Sequence, residues 1–409
     1  MSAAEQELVI ERLGHRGEGI APGPVYVARA LPGEVVQGIV ENGRMAAPRI
    51  VSPVAERVRP PCRHARTCGG CILQHARDDF LSRWKVGVIE EALKAQGLDA
   101  PMRGLATSPP GSRRRAVLAA RRMKKGARVG FHGLKTDEIS EIDDCRLLRP
   151  ELHAMLPLVR ELTQIGAGRK SRLSVMLTQV ENGVDIAVTG GKPLSEELIG
   201  ALVARTRDAG VARLVWEGEV LASFAPASVR FGRARVLLSP GAFLQATEEG
   251  EAELVAAVRE AVGDAREIAD LFAGAGTFSL PMAESARVHA VEGDNAMTTA
   301  LADGWRKAER LKQVTTETRD LFRRPLDPDE LARFDAAVLD PPRAGAQAQV
   351  EAIARSTIPR LAMVSCNPVT FARDARLLVQ AGFDIAWIDT VDQFRWSPHV
   401  ELVASLVRR

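Results

Sequence analysis

The five cysteines of this chain divide into four and one. Cys62, Cys68 and Cys71 follow Pro60-Pro61 on one short loop, spaced Cys62-x5-Cys68-x2-Cys71, and Cys145 stands far downstream. Four thiolates in this pattern suit a single metal centre, with Gly69-Gly70 letting the backbone wrap tightly around it. Spacing alone leaves zinc and an iron–sulfur cluster equally open. The fifth cysteine, Cys366, lies in Ser365-Cys366-Asn367-Pro368, where an apolar strand meets the start of a helix. A helix N-terminus is expected to lower a thiol pKa, and a thiolate so placed is a nucleophile. Near the C-terminus Glu401 opens a last apolar strand, Leu402 to Val407, and supplies a carboxylate for proton transfer.

The elements that must position these two groups read as alternating helices and apolar strands from about residue 241 onward, the mark of a parallel α/β sheet. One strand, Glu267 to Phe272, runs into Ala273-Gly274-Ala275-Gly276-Thr277. Its glycines permit a tight turn and close approach to a ligand at a strand's carboxyl end. The next strand ends in Glu292, about twenty residues after Asp270, where a carboxylate can accept from both ribose hydroxyls of an adenosine. Later strands end in Asp320, in Asp340-Pro341-Pro342-Arg343 and in Cys366. The turn lacks both the third glycine of a dinucleotide site and a phosphate-loop lysine. S-adenosylmethionine is therefore expected rather than NAD or ATP. Methyl transfer to nitrogen or oxygen needs no enzyme nucleophile, whereas C5 of a pyrimidine is activated only after a thiolate adds at C6.

The rest of the chain points to a phosphate-rich partner. Net charge is only +3, yet no acidic residue occurs between Asp99 and Asp137, while Arg103, Arg113, Arg114, Arg115, Arg121, Arg122, Lys124, Lys125, Arg128 and Lys135 crowd that window. No apolar run is long enough to span a membrane, and the polar N-terminus is no signal peptide, so a cytoplasmic setting is expected. The pattern predicts a multidomain chain: a small oligonucleotide-binding-type β-barrel over 1–57, a metal-binding segment over 58–112 closed by Cys145, an α+β domain over 113–240, and a Rossmann-like α/β domain over 241–409. A monomer is the default.

These strings resemble the RNA 5-methyluridine (uracil-C5) methyltransferases, over nearly the whole chain. The likeness is carried by the cysteine loop with Cys145, Gly241-Ala242-Phe243-Leu244-Gln245, Asp270-Leu271-Phe272-Ala273-Gly274-Ala275-Gly276, Asp340-Pro341-Pro342-Arg343-Ala344-Gly345, Ser365-Cys366-Asn367-Pro368 and His399-Val400-Glu401. It is nearest to the branch that methylates 23S ribosomal RNA and carries an N-terminal TRAM barrel and a [4Fe–4S] cluster. The resemblance implies Cys366 as nucleophile and Glu401 as the base that removes the C5 proton. It implies Gln245, Phe272, Thr277, Glu292, Asp320 and Asp340 around the methyl donor, and Phe243 beside a flipped uracil. It favours [4Fe–4S] over zinc on Cys62, Cys68, Cys71 and Cys145. Arg113, Arg114 and Arg115 are expected to meet RNA. Transfer RNA is the alternative substrate, and a nonenzymatic RNA-binding protein the reading that intact Cys366 and Glu401 oppose.

Overall fold

The structure is a computed structural model and describes residues 5–409; the first four residues of the expected 1–57 domain lie outside the described ones. Short, glycine-punctuated strands make two small N-terminal sheets. One joins Glu5–Val9, Val35–Ile39 and Arg49–Ser52; the other joins Arg12–Leu13, Gly19–Ala21, Val25–Val27 and Arg44–Met45. They close on Ile10, Ala21, Val27, Ala30, Val36 and Met45.

The central body is a seven-stranded sheet ordered Ile139–Glu141, Ala127–His132, Arg115–Arg122, Arg172–Val180, Gly183–Thr189, Val211–Trp216 and Glu219–Ser223. Period-two alternation divides its faces. Ala116, Leu118 and Ala120 enter a core shared with helix Leu156–Gly166, whereas Val117 and Arg121 are exposed. Trp216 is fully buried there, and a Cβ at Gly166 or Gly191 would meet its indole at 2.1 or 2.2 Å, so neither position admits a side chain.

The C-terminal sheet has eight strands, ordered Val314–Thr318, Arg287–Glu292, Glu267–Leu271, Ala336–Leu339, Arg360–Ser365, Glu401–Arg408, Phe383–Asp392 and Met102–Thr107. The first five run parallel, and Glu401–Arg408 is antiparallel to both its neighbours. Chain order reverses at Glu267–Leu271, the point where open α/β sheets bind ligands beyond the carboxyl ends of their strands. The expected boundary at residue 112 does not hold. Strand Met102–Thr107 extends the C-terminal sheet, and helix Asp78–Ala95 packs on helix Pro368–Gln380, with Ile89 and Leu93 in the same core as the sheet. Its apolar positions were legible; its partner lies some 280 residues downstream. No described helix is long and apolar enough to cross a membrane.

Candidate active site

A cavity of about 480 Å³ opens at the carboxyl ends of the parallel strands. Cys366, Glu401 and Asp340 line it together with Gln245, Phe272, Thr277, Glu292, Asp320 and Phe243, so nine residues singled out from the sequence converge on one space. Phe272 takes φ of 65°, a costly conformation for an aromatic residue, at the strand end where the chain turns into Gly274. Its ring packs on Phe322, centroids 5.3 Å apart, and Phe322 also lines the cavity. Sequence reasoning missed Phe322, an exposed aromatic in an irregular segment.

Glu292 is held from behind. Its Oε2 accepts from the Gly274 N–H at 3.0 Å and its Oε1 from the Asp294 N–H at 3.0 Å. Each oxygen keeps a second lone pair for a ligand hydroxyl. Asp320 is fixed likewise by the Phe322 N–H at 3.0 Å. A Cβ at Gly274 would meet nothing within 4 Å, so the turn leaves open space beside the carboxylate. Paired hydroxyl acceptors, aromatic walls and an uncluttered glycine turn fit an adenosine carrying a short charged tail.

Cys366 directly follows strand Arg360–Ser365 and precedes Asn367, whose side chain caps the following helix. The expected lowering of its pKa is not found. Burial pushes the thiol up, and the neighbouring Glu401 and Asp340 push it further; only Arg343 and a backbone hydrogen bond oppose them. The helix dipole loses because Cys366 stands outside the cap, with two carboxyl groups facing it. Glu401 is 6% exposed, and burial raises its carboxyl to about 7. Asp340 is raised well above the ordinary carboxylate range by burial, then by Glu401 and Asp270.

Two further residues escaped the sequence reading. Gln393 is buried and donates from Nε2 to both Glu401 Oε2 and Gln245 Oε1, the latter at 2.9 Å. Arg343 is the only cation lining the cavity among the described residues, and its Nη2 lies 2.8 Å from His399 Nδ1. A glutamine between Asp392 and Phe394 carries no signal by itself; Arg343 was quoted only as part of a string.

The basic window separates into paired and unpaired groups. Arg103 pairs with Glu260 and Asp389, and Lys135 with Glu18. Arg114 was expected at RNA, but it is 4% exposed and ion-paired to Glu251; its Nε holds the Gln245 carbonyl at 3.1 Å, so it braces the site from within. Arg113 bonds the Arg115 carbonyl and lies over Phe394, clear of the cavity lining. Arg115 alone of the three reaches the mouth, 5.3 Å over the ring of Phe243, which is 52% exposed. Arg121, Arg122, Lys124, Lys125 and Arg128 are exposed and form no ion pair among the described residues. Arg128 stands directly opposite Arg121, which stands directly opposite Arg172.

The four distant cysteines fall in one neighbourhood. Cys62, Cys68 and Cys145 each raise the pKa of Cys71, which burial pushes up to about 12. Backbone N–H groups already point at sulfur: His64 to Cys62 and Gly70 to Cys68, each at 3.4 Å, and Leu147 and Leu148 to Cys145. Thiols with backbone donors fit a cluster or zinc by chemistry. The sulfurs are not drawn together, however: among the described residues no three Cys, His, Asp or Glu side chains close to metal-holding geometry.

Comparison with known proteins shows the family and the fold. Residues 237–409 match the family described as tRNA (Uracil-5-)-methyltransferase. A protein of Brucella suis named an uncharacterized RNA methyltransferase is 41% identical over 100% of this chain and 99% of its own. The 23S rRNA (uracil(1939)-C(5))-methyltransferase RlmD of Halomonas elongata is 33% identical over 98% of this chain and 89% of its own. Among solved structures, the Pyrococcus abyssi tRNA (uracil-54, C5)-methyltransferase in complex with S-adenosyl-L-homocysteine superposes with a TM-score of 0.77 at 23% identity, covering 98% of this chain and 99% of that one.

Proposed function

The chain belongs to the RNA (uracil-5)-methyltransferase family, and from that premise we propose that it transfers the methyl group of S-adenosylmethionine to C5 of a uridine in 23S ribosomal RNA. The observation that carries the reading is the meeting of Cys366 and Glu401 in one cavity with Glu292, Asp320 and the glycine turn. Sulfonium chemistry supplies the methyl group, and this chain's residues do the rest. Gln245, Phe272, Thr277, Glu292, Asp320 and Asp340 hold the donor. Phe243 and Arg115 take the uracil displaced from its stack. The Cys366 thiolate forms a bond to C6, and the C5=C6 electron pair moves onto the O4 enolate. That pair then returns through C5 to the donor's methyl carbon, whose bond to sulfur breaks with its electrons left on sulfur. Glu401 takes the C5 proton, the C5=C6 bond re-forms, and Cys366 leaves as thiolate.

The RNA on either side of the uridine crosses the open face of the central sheet, past Arg115 toward Arg121, Arg128 and Arg172. Cys62, Cys68, Cys71 and Cys145 would hold a [4Fe–4S] cluster, supplying a rigid tie between their loop and the segment that leads to the basic strands. The likeness to RlmD and the four cysteines support ribosomal over transfer RNA. The test is incubation with labelled S-adenosylmethionine and unmodified 23S or transfer RNA, followed by mapping of the product. Label is expected at C5 of a 23S uridine and is expected to vanish in Cys366→Ala. Turnover surviving in that variant would sink the covalent mechanism, and label confined to transfer RNA would reassign the substrate.

A further inference from the structure

We propose that Gln393 is a positioning residue that orients and ionises Glu401; the inference rests on Glu401 being the general base. Gln393 is 1% exposed and follows the last residue of strand Phe383–Asp392. Its Oε1 accepts from the Thr247 backbone N–H at 3.2 Å. A backbone N–H can only donate, so the oxygen must face Thr247 and the amide cannot be reversed. Nε2 is thereby committed to Gln245 Oε1 and Glu401 Oε2. One amide thus ties the base to a residue of the donor site. The chain makes room for it: a Cβ at Gly250 would lie 2.2 Å from Gln393 Cγ, so a larger residue there would expel the side chain.

Neighbouring charge fixes what this donor does. Asp392 raises the Glu401 pKa, but its carboxylate is paired at 2.6 Å with Lys85, a fully buried lysine on helix Asp78–Ala95. Asp340 and Cys366, at the ends of the facing strands, are each pushed up by Glu401. Arg343 on the loop after Asp340 is engaged with His399. Gln393 is the neutral donor that favours the carboxylate form, which the last step requires, and its hold on Oε2 presents Oε1 to the C5 proton.

The test is Gln393→Met, which keeps volume without the amide, alongside Gln393→Leu, which likewise removes the donor. If proton removal is impaired, the Cys366–C6 adduct persists and is read as an SDS-resistant protein–RNA complex. Both variants are expected to accumulate that complex and to lose roughly tenfold or more in kcat. The pH for half-maximal proton release is expected to rise by about one unit. The sign follows because the base acts ionised and loss of a donor raises its pKa. If Gln393→Met fails to fold, the Leu variant decides. Wild-type turnover without adduct in either folded variant overturns the proposal. Glu401→Gln separates the two readings: wild-type turnover in it would remove the base assignment itself, whereas adduct in Glu401→Gln without adduct in the Gln393 variants removes only the role of Gln393.

Discussion

The open face of the central sheet carries three arginines that have no structural reason to stand together. Arg128, Arg121 and Arg172 are directly opposed on three adjacent strands, where like charges destabilise the pairing by a few tenths of a kcal/mol or more. Arg172 alone has an acidic neighbour, Asp137 at 3.5 Å, which is 89% exposed and so of little weight. Arg115 and Arg121 lie on one strand, six residues and so about 20 Å apart, which places the arginine row that far from the cavity mouth. If each arginine takes one phosphate of a single strand, each contributes about 0.7 to the slope of log affinity against log salt. The triple change Arg121→Gln, Arg128→Gln, Arg172→Gln is then expected to lower that slope by about 2. Between 50 and 200 mM salt the wild-type chain would lose on the order of 20-fold more affinity than the variant. Fluorescence anisotropy with a labelled RNA fragment measures the slope, and initial rates should show KM for RNA rising with kcat at saturation unchanged. Arg103→Gln is the control, because its charge is already spent on Glu260 and Asp389. An unchanged slope in the triple variant, or an equal fall in the control, would refute the assignment of this face to RNA.

Two more outcomes follow from buried groups. Asp270 is fully buried, with Oδ1 unpartnered and Oδ2 bonded to the Ser279 hydroxyl, and burial raises its carboxyl to about 7. Between about pH 4 and 7 the native state holds a proton that the unfolded state has lost, so this group lowers stability as pH rises, by up to about 4 kcal/mol at pH 8. Asp270→Asn should flatten that fall in urea unfolding at pH 5.5 and 8; a pH dependence identical to wild type would count against it. Cys145→Ser should strip iron and sulfide, with loss of visible absorption, and loosen the 62–71 loop to protease; a full iron complement in that variant would exclude Cys145 as a ligand.

The C-terminal site was legible because its chemistry sits where strands end, and strand ends are marked by composition. Glu292, Asp340 and Cys366 each close or follow an apolar run, so both their position and their convergence could be read. Residues whose meaning depends on distant partners could not. Arg114 and Arg115 are adjacent, yet alternation along the chain sends one guanidinium inward to Glu251 and the other to Phe243. Strand Met102–Thr107 joins a sheet whose other members begin more than 150 residues later, and no local pattern announces that pairing. Gln393 and Lys85 gain their roles only from Glu401 and Asp392. The direction of the Cys366 shift was misjudged for the same reason: the helix cap is local, whereas the two opposing carboxyl groups are not.

That shift has a consequence for the order of events. Glu401 and Asp340 both raise Cys366, Glu401 and Asp270 both raise Asp340, and among the described residues Arg343 is the one lining cation, which offsets them at Cys366. The free cavity therefore keeps its nucleophile protonated near neutral pH. A sulfonium held by the residues of this cavity would add a positive charge, which would lower the pKa values of these groups and favour the thiolate. On the proposed mechanism, Cys366 is then activated by the methyl donor's charge and stays protonated without it. After methyl transfer the sulfonium has become a neutral thioether, so the added charge is gone. With that charge gone, the carboxylate form of Glu401 that the proposed last step requires is favoured by the Gln393 amide.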